Sequence, residues 1–266
     1  MNAPHPDRET GEPALLTVAR GLQVLRAFRS DRQALSNAEL VRRTGLPKAT
    51  VSRLTSTLLQ TGFLRQSPGR RTFELGPMPL GIGHAYVSSS ELIGLANPLL
   101  QDLADRLDVS VALAARDQLD MLYLGYRASH KVATLRMGLG SLLPMGRTAI
   151  GHAYLWGLPA RQRASLVRAL QKQAADPARL KARIHASFTE LDATGTCAVL
   201  GDYQRDAYAV ALPVAIGRRR ILLALSCGKV LLRPRAAEAE RRRIAPALIE
   251  AAARLEKLLR GFDGEP

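Results

Sequence analysis

The chain has few cysteines, few acids and no long apolar run, and each shortage narrows what the protein can be. Among 266 residues only Cys197 and Cys227 are cysteines, with no C-x-x-C pair and no clustered Cys/His spacing. A structural zinc site is therefore not expected. A disulfide between the two would be unusual in a cytoplasmic protein. No apolar run is long enough to span a bilayer. Residues 1–14 are polar and Pro-rich and lack the apolar core of a secretory signal. The expectation is a disordered tail over 1–14, then a soluble, cytoplasmic protein with no membrane partner, no metal and no cofactor. Acids number 23 against 38 Lys and Arg, for a formal net charge of +15. That imbalance favours a polyanionic partner and says nothing of fold. A hydrophobic fraction of 47% suffices for a normal core, and the length suggests about two domains.

The charge is uneven. Between Leu15 and Gly76 stand 11 Lys and Arg against 3 acids, a surplus of +8. About half of the total surplus thus lies in under a quarter of the chain, the footprint expected of a DNA-binding module.

The same stretch carries a helix-turn-helix pattern. Ser36 with Glu39 three residues on is a capping box, in which the hydroxyl takes a free amide and the Glu reaches back. Gly45 stands where the first helix must stop, because glycine takes a left-handed C-terminal conformation cheaply. Pro47 opens the next helix, where its missing N–H costs nothing. Val51, Leu54 and Leu58 recur at helical spacing as the inward stripe. Lys48, Ala49, Thr50, Ser52, Arg53 and Ser56 are left for the other side, and short polar groups with cations suit a recognition helix in the major groove. Val18, Leu22 and Leu25 predict an amphipathic first helix completing a three-helix core. After the motif, Gly62–Gln66 and Arg71–Gly76 read as two strands about a Ser67-Pro-Gly-Arg turn. That pair is the wing of a winged helix, with Arg70 and Arg71 at its tip to reach phosphates or a minor groove. Ser36, Lys48, Ala49, Thr50, Ser52, Arg53, Arg70 and Arg71 are the candidate DNA-contacting residues.

Beyond Gly76 the pattern changes. Pro77 to about residue 90 reads as a linker helix bearing Leu80, Ile82, Ala85 and Tyr86, apolar residues with no evident core of their own. Its expected role is dimerisation, because one winged helix covers too little DNA for strong specificity. Glu91–Leu107, Ala149–Trp156, Ala160–Ala174, Pro177–Thr194 and Pro234–Arg260 read as helices. Val109–Ala115, Leu119–Gly125, Val132–Met137, Ala207–Ile216 and Ile221–Cys227 read as strands. Helices and hairpins mix without regular alternation, so residues 91–262 are expected to form an α+β domain with an antiparallel sheet.

Catalysis is weakly supported. The available nucleophiles are Cys197, Cys227 and Ser226, and the available bases are His84, His130, His152 and His185. None falls in a motif that places nucleophile and base together. The chain is not expected to be an enzyme. A hydrolase in the C-terminal domain and a ligand-independent DNA-binding protein remain the alternatives to a regulator.

In combination, several motifs resemble the IclR family of bacterial transcriptional regulators. They are Thr17-Val-Ala-Arg20-Gly-Leu, Leu35-Ser36-x-x-Glu39-Leu40, Thr44-Gly-Leu-Pro-Lys-Ala-Thr50-Val-x-Arg53-Leu54, Gly62-Phe-Leu64 and Phe73-x-Leu75-Gly76. Downstream, Thr148-Ala-Ile-Gly151-x-Ala-Tyr-Leu155, Ala211-Leu-Pro-Val214 and Ala224-Leu-Ser-Cys-Gly228 continue the resemblance, which runs from about residue 15 to 260. It implies a winged helix-turn-helix over 15–76, a linker helix over 77–90 and a GAF/PAS-like sensor over 91–262. It also implies a homodimer or homotetramer on a double-stranded DNA operator, and a sensor pocket for a small organic acid, aromatic acids included. The pocket residues so implied are Thr148, Ala149, Ile150, Gly151, Asp202, Ser226 and Cys227. The chain departs from the pattern at Thr196, Gly228 and Lys229. Free amides at the Thr148–Gly151 helix start would suit a carboxylate. Met137, Leu143, Met145 and Leu225 are expected to give the pocket an apolar wall.

Overall fold

The computed structural model describes residues 15–29, 34–69, 71–132 and 137–264. The expected tail over 1–14, Arg70 and most of the Val132–Met137 strand lie outside them. Contacts divide the chain into two units, split between Ser89 and Ser90.

The first unit holds α1 (Leu16–Arg26), β1 (Leu35–Ser36), α2 (Asn37–Thr44), α3 (Lys48–Gln60), β2 (Leu64–Gln66), β3 (Thr72–Leu75) and α4 (Met78–Ser89). Its small antiparallel sheet runs β1-β3-β2, with Leu64 opposite Leu75 and Leu35 opposite Phe73. Val24, Phe28, Leu35, Leu40, Val51 and Leu64 form the core. The first helix therefore packs on a different phase from the one its spacing predicts. Val18 and Leu22 are 59% and 55% exposed, whereas Val24 is fully buried and Leu25 half-buried. The reason is local. Gly21 faces Leu54 of α3, and the inward face is Gly21, Val24, Leu25 and Phe28. Gln23 donates to the Thr44 carbonyl and Arg43 to the Ala27 carbonyl, tying the end of α1 to α2.

The second unit opens with α5 (Glu91–Leu107), capped by the Ser90 hydroxyl on the Ile93 amide. There follow β4 (Ser110–Asp117), β5 (Asp120–Ala128), β6 (Leu142–Pro144), a 3-10 turn (Met145–Arg147) and α6 (Ala149–Gly157). Next come α7 (Ala160–Gln173), α8 (Pro177–Thr194), β7 (Cys197–Leu200), β8 (Ala207–Ile216), β9 (Ile221–Val230) and α9 (Ala237–Leu258). Among the described residues the six strands form one antiparallel sheet in the order β6-β5-β4-β9-β8-β7. This is the α+β architecture the sequence predicts, with β6 and β7 in addition.

Both faces of the sheet are covered, which explains the long apolar runs in its central strands. Val111, Leu113, Val210, Leu223, Leu225 and Cys227 point to one side, against α5 and α9. Ala112, Ala114, Met121, Tyr123, Ala211 and Ala224 point to the other, where α6 and α8 lie. Small side chains on this second face let α6 come close. Among the described residues no helix is long and apolar enough to cross a membrane.

Candidate functional site

Two constellations stand out, one in each unit. In the first, the Ser36 hydroxyl accepts from the Glu39 amide at 3.2 Å and starts α2. Gly45 ends that helix at φ 69°, with its amide on the Val41 carbonyl. Pro47 takes the cap position of α3, one residue before the helix proper. The Glu39 carboxylate accepts from Arg42 twice and from Arg43 once, and these hydrogen bonds, those of Arg42 first, hold it down at about 2. The arginines of α2 are thereby partly neutralised, whereas α3 carries no acid at all. Val51 and Thr55 face inward, and Lys48, Ala49, Ser52, Arg53 and Ser56 are exposed, with Thr50 half-buried. The wing is braced by the Arg65–Glu74 pair across β2 and β3 and by the Ser67 hydroxyl on Glu74. Arg71 is exposed beside the turn. The unit thus presents one acid-free, cationic helix face and a cationic hairpin, the surface a DNA duplex requires.

In the second unit a cavity lies between the sheet and the start of α6. Its lining includes Ser110, Ala112, Tyr123, Met137, Leu143, Thr148, Ala149, Ile150 and Ser226. Arg147, Val199, Asp202 and Tyr203 line it as well. The enclosed room is about 50 Å³, rising to about 540 Å³ when wall gaps and the open mouth are counted. Tyr123 and Ser226 supply hydroxyls from buried positions on the sheet floor, and burial pushes the Tyr123 phenol up, so it stays a neutral donor. Tyr123 donates toward the Met137 sulfur at 3.9 Å, a weak acceptor.

Of the seven residues implied for this pocket, Thr148, Ala149, Ile150, Asp202 and Ser226 line the cavity, and two do not. Gly151 is buried behind it. A β-carbon there would collide with the Met145 backbone, and the Gly151 amide is already taken by the Thr148 hydroxyl at 3.3 Å. Gly151 therefore serves close packing, and its amide is not open to a carboxylate. Cys227 points to the opposite face of the sheet, among the residues packed on α5 and α9, because strand neighbours alternate. Leu225 goes with it, so the apolar wall comes from Met137 and Leu143, without Leu225 or Met145.

The buried polar groups behind the cavity are structural. The His152 Nε2 lies 3.1 Å from the Gly146 carbonyl, which can only accept, so Nδ1 accepts from the Ser187 hydroxyl at 2.8 Å. Burial holds the His152 pKa below its usual value, and the neutral ring braces the Met145–Arg147 turn. Burial raises both thiols, Cys227 to about 12, and both cysteines are free. Neither is a ready nucleophile.

Sequence reasoning missed Arg147, Tyr123, Ser110 and Val199. Arg147 adjoins the Thr148 motif directly, and Tyr123 alternates with Leu122 and Leu124 along β5, so both signals were present.

A winged helix-turn-helix followed by a second unit with a two-sided sheet and a cavity is the make-up of a DNA-binding regulator. The description of the IclR helix-turn-helix domain matches residues 17–68, and that of the bacterial transcriptional regulator IclR C-terminal domain matches residues 84–257. The chain belongs to the IclR family of transcriptional regulators. It is 32% identical over 215 residues to the HTH-type transcriptional regulator TsaQ1/TsaQ2 of Comamonas testosteroni, covering 80% of this chain and 77% of that one. A crystal structure of an IclR family transcriptional regulator from Brucella abortus superposes with a TM-score of 0.80 at 32% identity, over 91% of this chain and 92% of that one. An IclR homologue from Microbacterium hydrocarbonoxydans, complexed with 4-hydroxybenzoate, shares the fold. Its TM-score is 0.60 at 21% identity, over 91% of this chain and 98% of that one. Such relatives are regulators, and the chain is a DNA-binding regulator in the same sense.

Proposed function

We propose that this regulator works in the cytoplasm and binds a double-stranded operator through Lys48, Ala49, Thr50, Ser52 and Arg53, with Ser36 at the base of the motif and Arg71 on the wing, and through Arg70, which lies outside the described residues. A small organic acid, aromatic acids included, enters the sensor cavity and alters operator affinity. The single observation that carries the sensing role is that cavity. It joins apolar walls at Leu143 and Met137, hydroxyls at Tyr123 and Ser226, and a guanidinium at Arg147 beside the start of α6. Apolar walls with a few convergent polar groups are the usual make-up of a small-molecule site. The 4-hydroxybenzoate held by the Microbacterium homologue is in keeping with such a ligand.

The working form is a homodimer or homotetramer assembled through α4. That helix buries none of its residues, and Leu80, Ile82 and Tyr86 are 76%, 61% and 42% exposed. The domain limits follow as 15–76, 77–90 and 91–262. Mobility-shift titrations of promoter DNA next to the gene, with and without candidate acids, test the whole reading. Sequence-selective binding that an acid weakens or strengthens is the expected result. Selective binding untouched by every acid would leave a DNA-binding protein without a ligand.

A further inference from the structure

Beside the cavity stand three features, of which only Asp202 of the second was given a role by the family resemblance. They are Arg147 at the end of the 3-10 turn, the loop from Gly201 to Asp206 between β7 and β8, and Arg183 on α8. Arg147 is exposed, lines the cavity, and donates from Nε at 2.9 Å and from Nη2 to the backbone carbonyl of Asp202. The Asp202 carboxylate is meanwhile taken by Nε of Arg183. Two guanidiniums thus hold one residue by different groups. The acid is committed to Arg183, and Arg147 is left on a neutral carbonyl. Among the described residues Arg147 has no carboxylate within ion-pair distance.

That arrangement is poised for exchange. A guanidinium fork matches the two oxygens of a carboxylate, and such charge-assisted pairs are about twice as strong as neutral hydrogen bonds. A peptide carbonyl offers the fork one oxygen and no charge. A carboxylate entering the mouth is the better partner.

Volume points the same way. The enclosed room is about 50 Å³. A cavity that holds benzene measures about 150 Å³. A ring-bearing acid therefore fits only when a wall moves. The wall at the mouth is the 201–206 loop, whose residues are all exposed or half-buried and which Arg147 and Arg183 strap down.

We propose that Arg147 recognises the carboxylate of the effector, and that in doing so it releases the Asp202 carbonyl and lets the 201–206 loop open around the ligand. The loop is then the element whose two positions the acid distinguishes, and only such a differential contact lets a ligand shift an equilibrium. Tyr123 and Ser226, on the sheet floor, take a hydrogen-bonding group elsewhere on the molecule. The ligand class is a compact monocarboxylate with an apolar body and a hydroxyl or keto oxygen. This rests on the cavity reading given above.

The test uses the full chain and matched pairs of acid and neutral amide: 4-hydroxybenzoate with 4-hydroxybenzamide, benzoate with benzamide, pyruvate with pyruvamide. Calorimetric titrations compare the native protein with Arg147→Gln, Arg147→Lys and Arg183→Gln. At least one acid is expected to bind the native protein more than about tenfold better than its amide. Arg147→Gln abolishes that preference and leaves amide affinity within about twofold, since the amide never used the charge. Arg147→Lys, which keeps the charge and loses the fork, retains only part of the preference. Arg183→Gln keeps it. Hydrogen exchange at 201–206 rises when the acid is bound to the native protein. If acid and amide bind the native protein alike, or if the preference survives in Arg147→Gln, the role of Arg147 is overturned and the cavity reading stands. If none of the six compounds binds, both fall together.

Discussion

Arg53 is exposed on the face of α3 opposite Val51, and Arg71 is exposed at the wing. The two should fail differently. Arg53→Ala is expected to cost about 1–3 kcal/mol at the operator and little on random DNA, if it reads a base edge. Arg71→Ala weakens binding to every sequence and lowers the slope of log K against log salt by about one. Gel-shift titrations at two salt concentrations separate these outcomes, and unchanged affinity in both variants would remove the docking scheme. His152 gives a pH signature. Its folded pKa lies below its ordinary 6.5, so the unfolded chain takes up the proton first. The group therefore costs nothing above about pH 6.5 and destabilises the sensor unit progressively as the pH falls below that value. Thermal melts of the native protein should drop from pH 7 to pH 5 more steeply than those of His152→Gln, even though the variant is less stable at pH 7. Equal slopes would show that another group governs acid sensitivity. Ser36, Gly45 and Arg53 were legible in the sequence because caps, left-handed glycines and helix faces are local. Gly151 and Cys227 were not. Which side of β9 meets a cavity depends on the helices covering each face, and the amide of Gly151 depends on where the Thr148 hydroxyl turns.

The helices that carry their own start and stop signals, α2, α5 and α8, lie where the sequence predicts them. α8 is the plainest, with Asp176 capping the Arg179 amide and Gly195 ending it at φ 74°. The predicted phase of α1 was wrong, because helical spacing at Val18, Leu22 and Leu25 says that a face is apolar without saying what lies against it. β6 and β7 escaped notice because three- and four-residue strands are too short to display alternation. β6 also ends in Pro144, which suits an edge strand. For α4 the exposed apolar residues have a direct test. If α4 assembles the proposed oligomer, Leu80→Glu with Ile82→Glu should give a monomer in light scattering at micromolar concentration, and should lower operator affinity without changing the melting of the second unit. A native protein that is already monomeric and binds its operator fully would contradict the proposed role of α4.

If, as proposed, the cavity takes an acid that alters operator affinity, the coupling between the two must be reciprocal. If an acid shifts operator affinity by some factor, saturating operator DNA must shift acid affinity by the same factor. Calorimetry of the acid with and without a short operator duplex checks this, and an unequal pair of factors would mean that the acid also acts at a second place. The sheet order carries a further consequence, for synthesis. β4 pairs on one side with its neighbour β5, but on the other with β9, so that Ser110 meets Gly228. More than a hundred residues must leave the ribosome between those two strands. At about 5–20 residues per second this takes roughly 5–20 s. For that interval the nascent chain displays Val111 and Leu113 on a strand with one edge open, the kind of edge that recruits foreign strands. The arrival of β9 covers that edge and closes the interval in which it is open to wrong pairing.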